Sequence, residues 1–216
     1  MAFQLATGAE ARWTGVPGVH AVVCVNGGTA AEVPGTWSAS VEWLVRRLSG
    51  RFPQLGFLEV RYRIKSWQQL ELCVEDAAAA IELARRGGAQ ELALLGFSMG
   101  GAVAVRNAAA SGVELVAGVN PWLPPQLELD ALRGRRLAIV HGGLDAALPL
   151  IPGVNPSMSL AAANRAQALG IEVERAVVPR GFHAVALRRR SGGTLALPGA
   201  GRYAEIVGDQ LERFCA

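Results

Sequence analysis

Ser98 lies in a segment whose residue types and spacing are typical of a catalytic nucleophile. Residues 96–100, GFSMG, have the pattern G-x-S-x-G between an apolar run, LALLGF, and an alanine-rich one, AVAV. Between a strand and a helix this pattern forms a sharp turn that presents the serine hydroxyl at the carboxyl edge of a sheet. Side chains at the two glycine positions would collide with the strand and the helix. The segment predicts that Ser98 is a nucleophile; the alternative is a serine that caps a helix.

A serine hydroxyl needs a base that takes its proton, and the chain has three histidines for that role. His20 opens a predicted strand, at the end of the sheet opposite the serine. His141 lies at the carboxyl end of a strand, but it precedes the best acid and sits in a tight HGG turn. His183 follows the last predicted strand on the loop PRGFH, from which an imidazole can reach the serine. We therefore predict that His183 is the general base.

The base needs a carboxylate that orients it, and four aspartates are candidates besides the glutamates. Asp76 and Asp209 lie within predicted helices, and Asp130 lies in the polar connection before a strand. Asp145, in AIVHGGLDAALP, follows the carboxyl end of a strand, at the edge where doubly wound sheets place their sites. The preceding strand ends at Asn120, which has no carboxylate. Asp145 is thus the predicted acid; the alternative is an ordinary turn aspartate.

Apolar runs alternate with amphipathic segments along the chain, and this order predicts the elements that position the three residues. The predicted strands span residues 19–25, 55–62, 91–97, 114–120, 135–142 and 171–179, and the first 18 residues hold at most one more. The predicted helices span residues 38–49, with Ser38 or Ser40 as N-cap, and 66–88, 99–110, 158–169 and 201–214. Such alternation predicts an α/β protein, with a mostly parallel sheet of about six to seven strands covered by helices on both faces.

Composition bounds the class of protein. With 216 residues, 51% of them hydrophobic and 18% charged, we expect one well-filled domain over residues 1–216. The net charge is +3, and the basic residues are almost all arginine, Lys65 being the sole lysine, a skew typical of GC-rich bacterial genomes. No basic segment is interleaved with aromatic residues, which argues against a nucleic-acid partner.

The cysteines and the apolar runs indicate a compartment. Cys24, Cys73 and Cys215 are scattered, which fits neither a disulfide framework nor a zinc site, and we expect no metal and no cofactor. The N-terminal segment lacks the pattern of a secretory signal, and no apolar run reaches about 18 residues. The expectation is a cytoplasmic protein with no membrane segment.

The order Ser98, Asp145, His183 is the order of the catalytic triad in α/β-hydrolases, and the chain resembles that superfamily over nearly its whole length. The segments GFSMGG, HGGLDAALP and GFH carry the resemblance. Within the superfamily the chain is most similar to small, lidless members of the dienelactone hydrolase and carboxylesterase type. Dienelactone hydrolases proper usually carry cysteine at the nucleophile position, so Ser98 favours ester or thioester hydrolysis.

The resemblance implies further features of the site and the sheet. Two backbone N–H groups would form an oxyanion hole, from Met99 and from Gly28 in the loop NGGT, where Asn26 replaces the histidine that the family often has. The family's sheet has eight strands, which implies truncation at the N-terminal side here. Only about 16 residues follow Asn120 before the next strand, too few for the usual helical cap, so we expect a minimal lid or none.

The walls of the pocket and the substrate are less determined. Trp37 and Trp122 lie in predicted loops at the carboxyl edge and are candidates for the pocket walls, with core packing as the alternative for each. Arg188, Arg189 and Arg190 follow the base loop, where they could meet an anionic thioester carrier or form a solvated turn.

Three functions fit the sequence. The first is a serine esterase that cleaves small-molecule esters or thioesters through an acyl-enzyme on Ser98. The second is a carrier or coenzyme A thioesterase or acyltransferase with the same triad, for which a carrier protein is a candidate partner. The third is a hydrolase-like binding protein without catalysis. The sequence does not determine the oligomeric state.

Overall fold

The computed structural model describes residues 2–146 and 153–216, and its centre is one large sheet. The strands of this sheet are β1 (Ala2–Gln4), β2 (Glu10–Thr14), β3 (His20–Val25), β4 (Gly56–Arg61), β5 (Glu91–Phe97), β6 (Val113–Val119), β7 (Arg136–Gly142) and β8 (Glu172–Val178). The helices in the described ranges are α1 (Ala39–Arg51), α2 (Leu70–Arg86), α3 (Gly100–Arg106), α4 (Pro156–Ala168) and α5 (Ala200–Phe214). Two small antiparallel pairs lie outside the sheet, Val33–Pro34 with Ile64–Lys65 and Ala186–Arg188 with Thr194–Ala196.

The strand order is β1-β2-β4-β3-β5-β6-β7-β8; the pairs β1–β2 and β2–β4 are antiparallel, and the remaining five pairs are parallel. This confirms the predicted fold class, a mostly parallel doubly wound α/β sheet. The predicted count of six to seven strands and the expected truncation on the N-terminal side are wrong, because the large sheet of the described residues contains eight strands. Strand β2 has the sequence EARWT and is mostly half-buried, so it lacks the continuous apolar run that marks the doubly covered parallel strands.

Two apolar cores cover the two faces of the sheet. Side chains of α2, α3 and α4 pack on one face, and those of α1 and α5 pack on the other. Along β3 the buried residues alternate between the two cores, with Val23 facing the first and Val22 and Cys24 facing the second. Because apolar side chains cover both faces of the sheet, reactive side chains can reach solvent only at its edges and strand ends.

Most helix boundaries agree with the sequence analysis, and α2 differs in a way that matters for the site. The side chain of Ser38 caps α1 by accepting a hydrogen bond from the N–H of Val41 at 3.3 Å. Helix α2 begins at Leu70 rather than at residue 66, because the hydroxyl of Ser66 instead accepts from the N–H of Gln68 in a turn. Trp67 is therefore in a loop at the carboxyl edge of the sheet.

The connections carry little additional structure. Residues 120–135, between β6 and β7, contain only the 3₁₀ turn Asp130–Leu132 and no cap helix. In the described part of the chain, no helix combines the length and apolar character that crossing a bilayer requires. The cysteines Cys24, Cys73 and Cys215 are unpaired, and the first two are buried.

Candidate active site

Ser98 occupies the sharp turn between β5 and α3. Its φ of 55° lies in the left-handed region, which is uncommon for a residue with a side chain. The backbone around it holds this conformation, because the N–H of Ser98 donates to the carbonyl of Val119 at 3.1 Å and its own carbonyl accepts from Gly101 and Trp122 at 2.8 Å. The turn aims the hydroxyl at the carboxyl edge of the sheet.

The glycines on either side of Ser98 are required by space. A Cβ on Gly96 would overlap the backbone oxygen of Gly100, and a Cβ on Gly100 would lie 2.5 Å from the backbone oxygen of Val25. The backbones of β3, β5 and α3 thus approach too closely for any side chain at these positions. The G-x-S-x-G spacing follows from this close approach.

His183 and Asp145 continue from the serine in a hydrogen-bonded chain. Nε2 of His183 lies 3.0 Å from Oγ of Ser98, and Nδ1 lies 2.8 Å from Oδ2 of Asp145. The carboxylate can only accept, so Nδ1 carries the hydrogen, and Nε2 of the neutral ring is left to accept from the serine hydroxyl. Such a chain can take a proton from the hydroxyl while the carboxylate stabilises the imidazolium that forms.

Asp145 is buried, and its carboxylate has several donors. Oδ1 accepts from the N–H of Val154 at 2.9 Å, while His183 and His141 both approach Oδ2. Burial by itself raises the pKa of Asp145, but the two histidines and the Val154 N–H stabilise the charged form and together hold the pKa below its ordinary value. The carboxylate therefore stays ionised beside His183 at neutral pH.

Asn120, at the end of β6, holds the loop that carries the histidine. Its Nδ2 donates to the carbonyls of Phe182 at 2.9 Å and His183 at 2.6 Å, and its Oδ1 accepts from the N–H of Gly142 at 2.7 Å. The hydroxyl of Tyr203 lies 3.0 Å from both Oδ1 of Asn120 and the Phe182 carbonyl. From the sequence, Asn120 is notable only as a residue that lacks a carboxylate, and no local pattern predicts this role. Its φ of 45°, which asparagine tolerates better than most residues, is not visible in the sequence.

The loop after β3 lies against the serine turn. A Cβ on Gly27 would lie 3.1 Å from Cβ of Ser98, and one on Gly28 would overlap the sulfur of Met99. The N–H groups of Gly27, Gly28 and Met99 have no hydrogen-bond partner within residues 2–146 and 153–216. Asn26 anchors the loop, since its Nδ2 donates to the carbonyl of Val60 and its own carbonyl accepts from the hydroxyl of Tyr62 at 3.2 Å. Free N–H groups beside the hydroxyl can stabilise a developing oxyanion.

A cavity of about 350 Å³ opens over the hydroxyl of Ser98 and the ring of His183. Its described lining includes Trp67, from the loop that replaces the predicted first turn of α2, but neither Trp37 nor Trp122. The prediction that those two tryptophans form the pocket walls is therefore not supported. The guanidinium carbon of Arg12 lies 4.3 Å above the ring centroid of Trp37, and Trp122 packs on the apolar core.

The other candidate residues of the sequence analysis lie in ordinary structural contacts. Asp76, Asp130 and Asp209 pair with Arg63, Arg133 and Arg51, and His20 pairs with Glu91 at the far end of the sheet. Arg188 makes two contacts with the carboxylate of Glu42, at 2.9 and 3.0 Å. No group of three or more histidine, cysteine, aspartate or glutamate side chains in the described ranges could hold a metal ion. The last three residues of HGGLDAALP, 147–149, lie outside the described residues.

Comparisons with solved structures identify the fold. No protein-family model and no curated protein sequence matches the chain. The solved structures to which it is similar include a lidless α/β serine hydrolase from Xanthomonas campestris, with a TM-score of 0.67 and 16% identity over 99% of this chain and 92% of that one. An α/β serine hydrolase homologue from Coxiella burnetii has a TM-score of 0.68 and 19% identity over 100% of this chain and 96% of that one. An esterase from Exiguobacterium antarcticum has a TM-score of 0.64 and 11% identity over 98% of this chain and 99% of that one. The chain therefore has the α/β-hydrolase fold, and the resemblance predicted from the sequence is confirmed at that level.

Proposed function

We propose that this protein is a serine hydrolase that cleaves small carboxylic esters through an acyl-enzyme on Ser98. The observation that carries the proposal is the continuous chain from Oγ of Ser98 through both ring nitrogens of His183 to the carboxylate of Asp145, with lengths of 3.0 and 2.8 Å. The strained backbone of Ser98 and the cavity above its hydroxyl support the same role.

In the first half of the reaction, Oγ of Ser98 attacks the ester carbonyl carbon while Nε2 of His183 takes the hydroxyl proton. The carbonyl oxygen becomes negatively charged, and we assign the N–H groups of Met99 and Gly28 as the donors that stabilise it. The tetrahedral intermediate then breaks the bond to the alcohol oxygen, which receives the proton from His183. The ester becomes an acyl group on Ser98 and a free alcohol.

In the second half, water replaces the alcohol. His183 takes a proton from the water as the hydroxide attacks the acyl carbonyl, and the same N–H groups again hold the oxyanion. Collapse returns the proton from His183 to Oγ of Ser98 and releases the carboxylic acid. Asp145 holds the ring in the required tautomer and stabilises its charged form throughout.

The surroundings of the site favour small substrates that enter from solvent. The connection between β6 and β7 contains no cap helix, and the cavity holds about 350 Å³. We further propose that residues 1–216 form a single α/β-hydrolase domain. The three unpaired cysteines favour a reducing compartment such as the cytoplasm.

The test combines a covalent probe with turnover of a chromogenic short-chain ester. A fluorophosphonate should add one label, which mass spectrometry of a digest locates on Ser98, and p-nitrophenyl butyrate should be hydrolysed with many turnovers. Labelling and acylation without turnover would instead favour transfer to a thiol acceptor, which coenzyme A added to the assay would reveal. A protein that neither labels nor turns over would be a binding protein rather than an enzyme.

A further inference from the structure

Lys65 is the only lysine of the chain, and its side chain lines the cavity above Ser98. It ends the short strand Ile64–Lys65, whose partner strand Val33–Pro34 holds the backbone in place. Its ammonium group donates one hydrogen bond, to the hydroxyl of Thr36 at 2.8 Å. An ammonium has three donors, so two remain for a ligand in the cavity.

The charge of Lys65 is not balanced by a neighbouring carboxylate. Among the described residues it forms no ion pair, whereas Arg12, Arg63 and Arg188 each contact a carboxylate. The described lining of the cavity contains no aspartate or glutamate, and residues 147–152 have none in their sequence, ALPLIP. A single cation in a partly enclosed cavity attracts a negatively charged group.

Close contacts lead from Ser98 to Lys65 along the side of the cavity formed by the loop after β3. Gly27 lies against Ser98, Nδ2 of Asn26 donates to the carbonyl of Thr36 at 3.4 Å, and the hydroxyl of Thr36 accepts from Lys65. The leaving alcohol must lie beside Nε2 of His183, which protonates it. We place the other half of the substrate, the acyl group, on the side of the cavity that Lys65 lines.

We infer that Lys65 selects esters whose acyl group ends in a carboxylate, a few atoms from the carbonyl that Ser98 attacks. This inference rests on the proposed function and names its substrate class. The ammonium pairs with the carboxylate of the substrate in the Michaelis complex, and Trp67, beside Gly28, contacts the hydrocarbon chain between the two ends. The specificity is for the charge rather than for one particular acid.

The experiment compares two esters of equal carbon number, mono-p-nitrophenyl adipate and p-nitrophenyl hexanoate. The quantity measured is the ratio of their kcat/KM values, adipate over hexanoate. We expect Lys65→Met to lower this ratio about twofold to fivefold, which is the usual size for a partly exposed charge pair. Lys65→Arg should retain most of the ratio, and 0.5 M NaCl should lower the ratio in the wild type and in Lys65→Arg but not in Lys65→Met.

The matched control is Arg190→Met, which removes an exposed cation outside the described lining of the cavity and should leave the ratio at its wild-type value. An unchanged ratio in Lys65→Met, or an equal fall in Arg190→Met, overturns the inference while leaving ester hydrolysis intact. If the wild type hydrolyses neither ester, the proposed function fails, and the substrate class fails with it.

A second observation concerns His141, which is fully buried at the end of β7. Its Nε2 lies 2.9 Å from the carbonyl of Val154 and 3.0 Å from Oδ2 of Asp145. Both neighbouring oxygens only accept, so Nε2 carries the hydrogen. The N–H group therefore lies against the same carboxylate oxygen that receives the hydrogen of His183.

We propose that His141 is a positioning residue that holds the carboxylate of Asp145 for His183. Besides the N–H of Val154, two titratable groups contact this carboxylate, His141 from β7 and His183 from the loop after β8. The nearby hydroxyl of Tyr203 from α5 hydrogen-bonds to Asn120 and Phe182 instead. Removing the His141 N–H leaves the carboxylate less stabilised and so more strongly paired with the charged form of His183. The carboxylate also loses a contact that fixes its direction towards Nδ1 of His183, so the rate should fall, while the stronger pairing moves the acid limb of the pH profile to higher pH.

The test uses two variants of His141. His141→Leu removes the N–H group, and we expect kcat/KM to fall about tenfold to hundredfold, mainly through kcat, with the acid limb of the pH profile displaced to higher pH. His141→Gln offers an amide N–H in a similar place and should recover most of the rate and the position of the limb. A role in packing alone predicts equal losses in both variants with the limb unmoved, and that result would overturn the proposal, as would a wild-type profile in His141→Leu.

Discussion

Two histidine–carboxylate pairs lie at opposite ends of the sheet. At the amino ends of the parallel strands, Nε2 of His20 on β3 lies 3.2 Å from the carboxylate of Glu91 on β5, and these side chains are 31% and 49% exposed. At the carboxyl ends, Nδ1 of His183 lies 2.8 Å from Asp145, with side chains that are 17% and 0% exposed. The residue types are nearly the same, but the surroundings differ.

The difference shows what turns such a pair into a site. The exposed pair is screened by water, and its imidazole packs edge-on against Phe214 rather than beside a hydroxyl. The buried pair has backbone donors on its carboxylate and the hydroxyl of Ser98 on the far nitrogen of its ring. The pair at the carboxyl ends therefore differs from the other in two respects: it is buried, and its imidazole has a third group, the hydroxyl of Ser98, as a partner.

The largest effect is expected from Ser98→Ala, which removes the hydroxyl that lies beside Nε2 of His183. Ester turnover should fall on the order of a millionfold, because a nucleophile and its base act as one unit. The fold should be retained, as circular dichroism and thermal unfolding would show, since the hydroxyl makes no structural contact other than with His183 among the described residues. A variant that keeps a tenth of the wild-type rate would exclude Ser98 as the nucleophile.

An almost equal loss is expected from His183→Ala, with His20→Ala as the matched control from the opposite end of the sheet. The wild-type kcat/KM should fall along an acid limb as the pH is lowered, because the base must be neutral before acylation. His183→Ala should abolish this limb together with the rate. His20→Ala should preserve both, and a limb that disappears with His20 instead would assign the base to the wrong end of the sheet.

The third prediction concerns the two carboxylates. Asp145→Asn should lower turnover by roughly ten-thousandfold, because the amide group would donate to Nδ1 of His183 and favour the wrong tautomer. Glu91→Gln makes the same chemical change in the exposed pair and should leave turnover within about twofold of the wild type. Steady-state kinetics on one chromogenic ester measure both. Comparable losses in the two variants would show that burial does not separate the pairs.

The sequence predicted the fold well wherever strands are buried on both faces. The runs that became β3 to β7 are mostly apolar and buried, and the predicted boundaries of these strands and of β8 agree within one or two residues with the structure. Strands β1 and β2 were underestimated because an antiparallel edge of the sheet carries mixed residues, as EARWT does in β2. The continuous apolar run that reveals a strand arises because helices cover both faces of the sheet, and this run is weaker at the sheet edges.

The site was predictable where local backbone geometry dictates residue type, and less so where distant segments meet. The glycines around Ser98 are fixed by overlap with neighbouring backbone, which a short motif can record. Trp67 was assigned to a helix, because no local pattern shows that the hydroxyl of Ser66 forms a turn and delays the start of α2. The contact of His141 with Asp145 depends on how residues after β7 fold back, and spacing alone does not reveal it.

The smallest effect concerns stability and pH at the buried carboxylate. The pKa of Asp145 in the folded protein lies below the ordinary aspartate value of about 3.9, so the folded state holds the charged form more strongly than the unfolded chain does. The stabilisation is fully present above the unfolded pKa, and it is lost as pH falls through the folded one. Urea unfolding between pH 6 and pH 3 should therefore show a steeper loss of unfolding free energy for the wild type than for Asp145→Asn, which cannot titrate at this position. Parallel pH dependences for the two proteins would mean that the donors around Asp145 do not favour its charged form, and the contrast with the exposed pair would then rest on the serine alone.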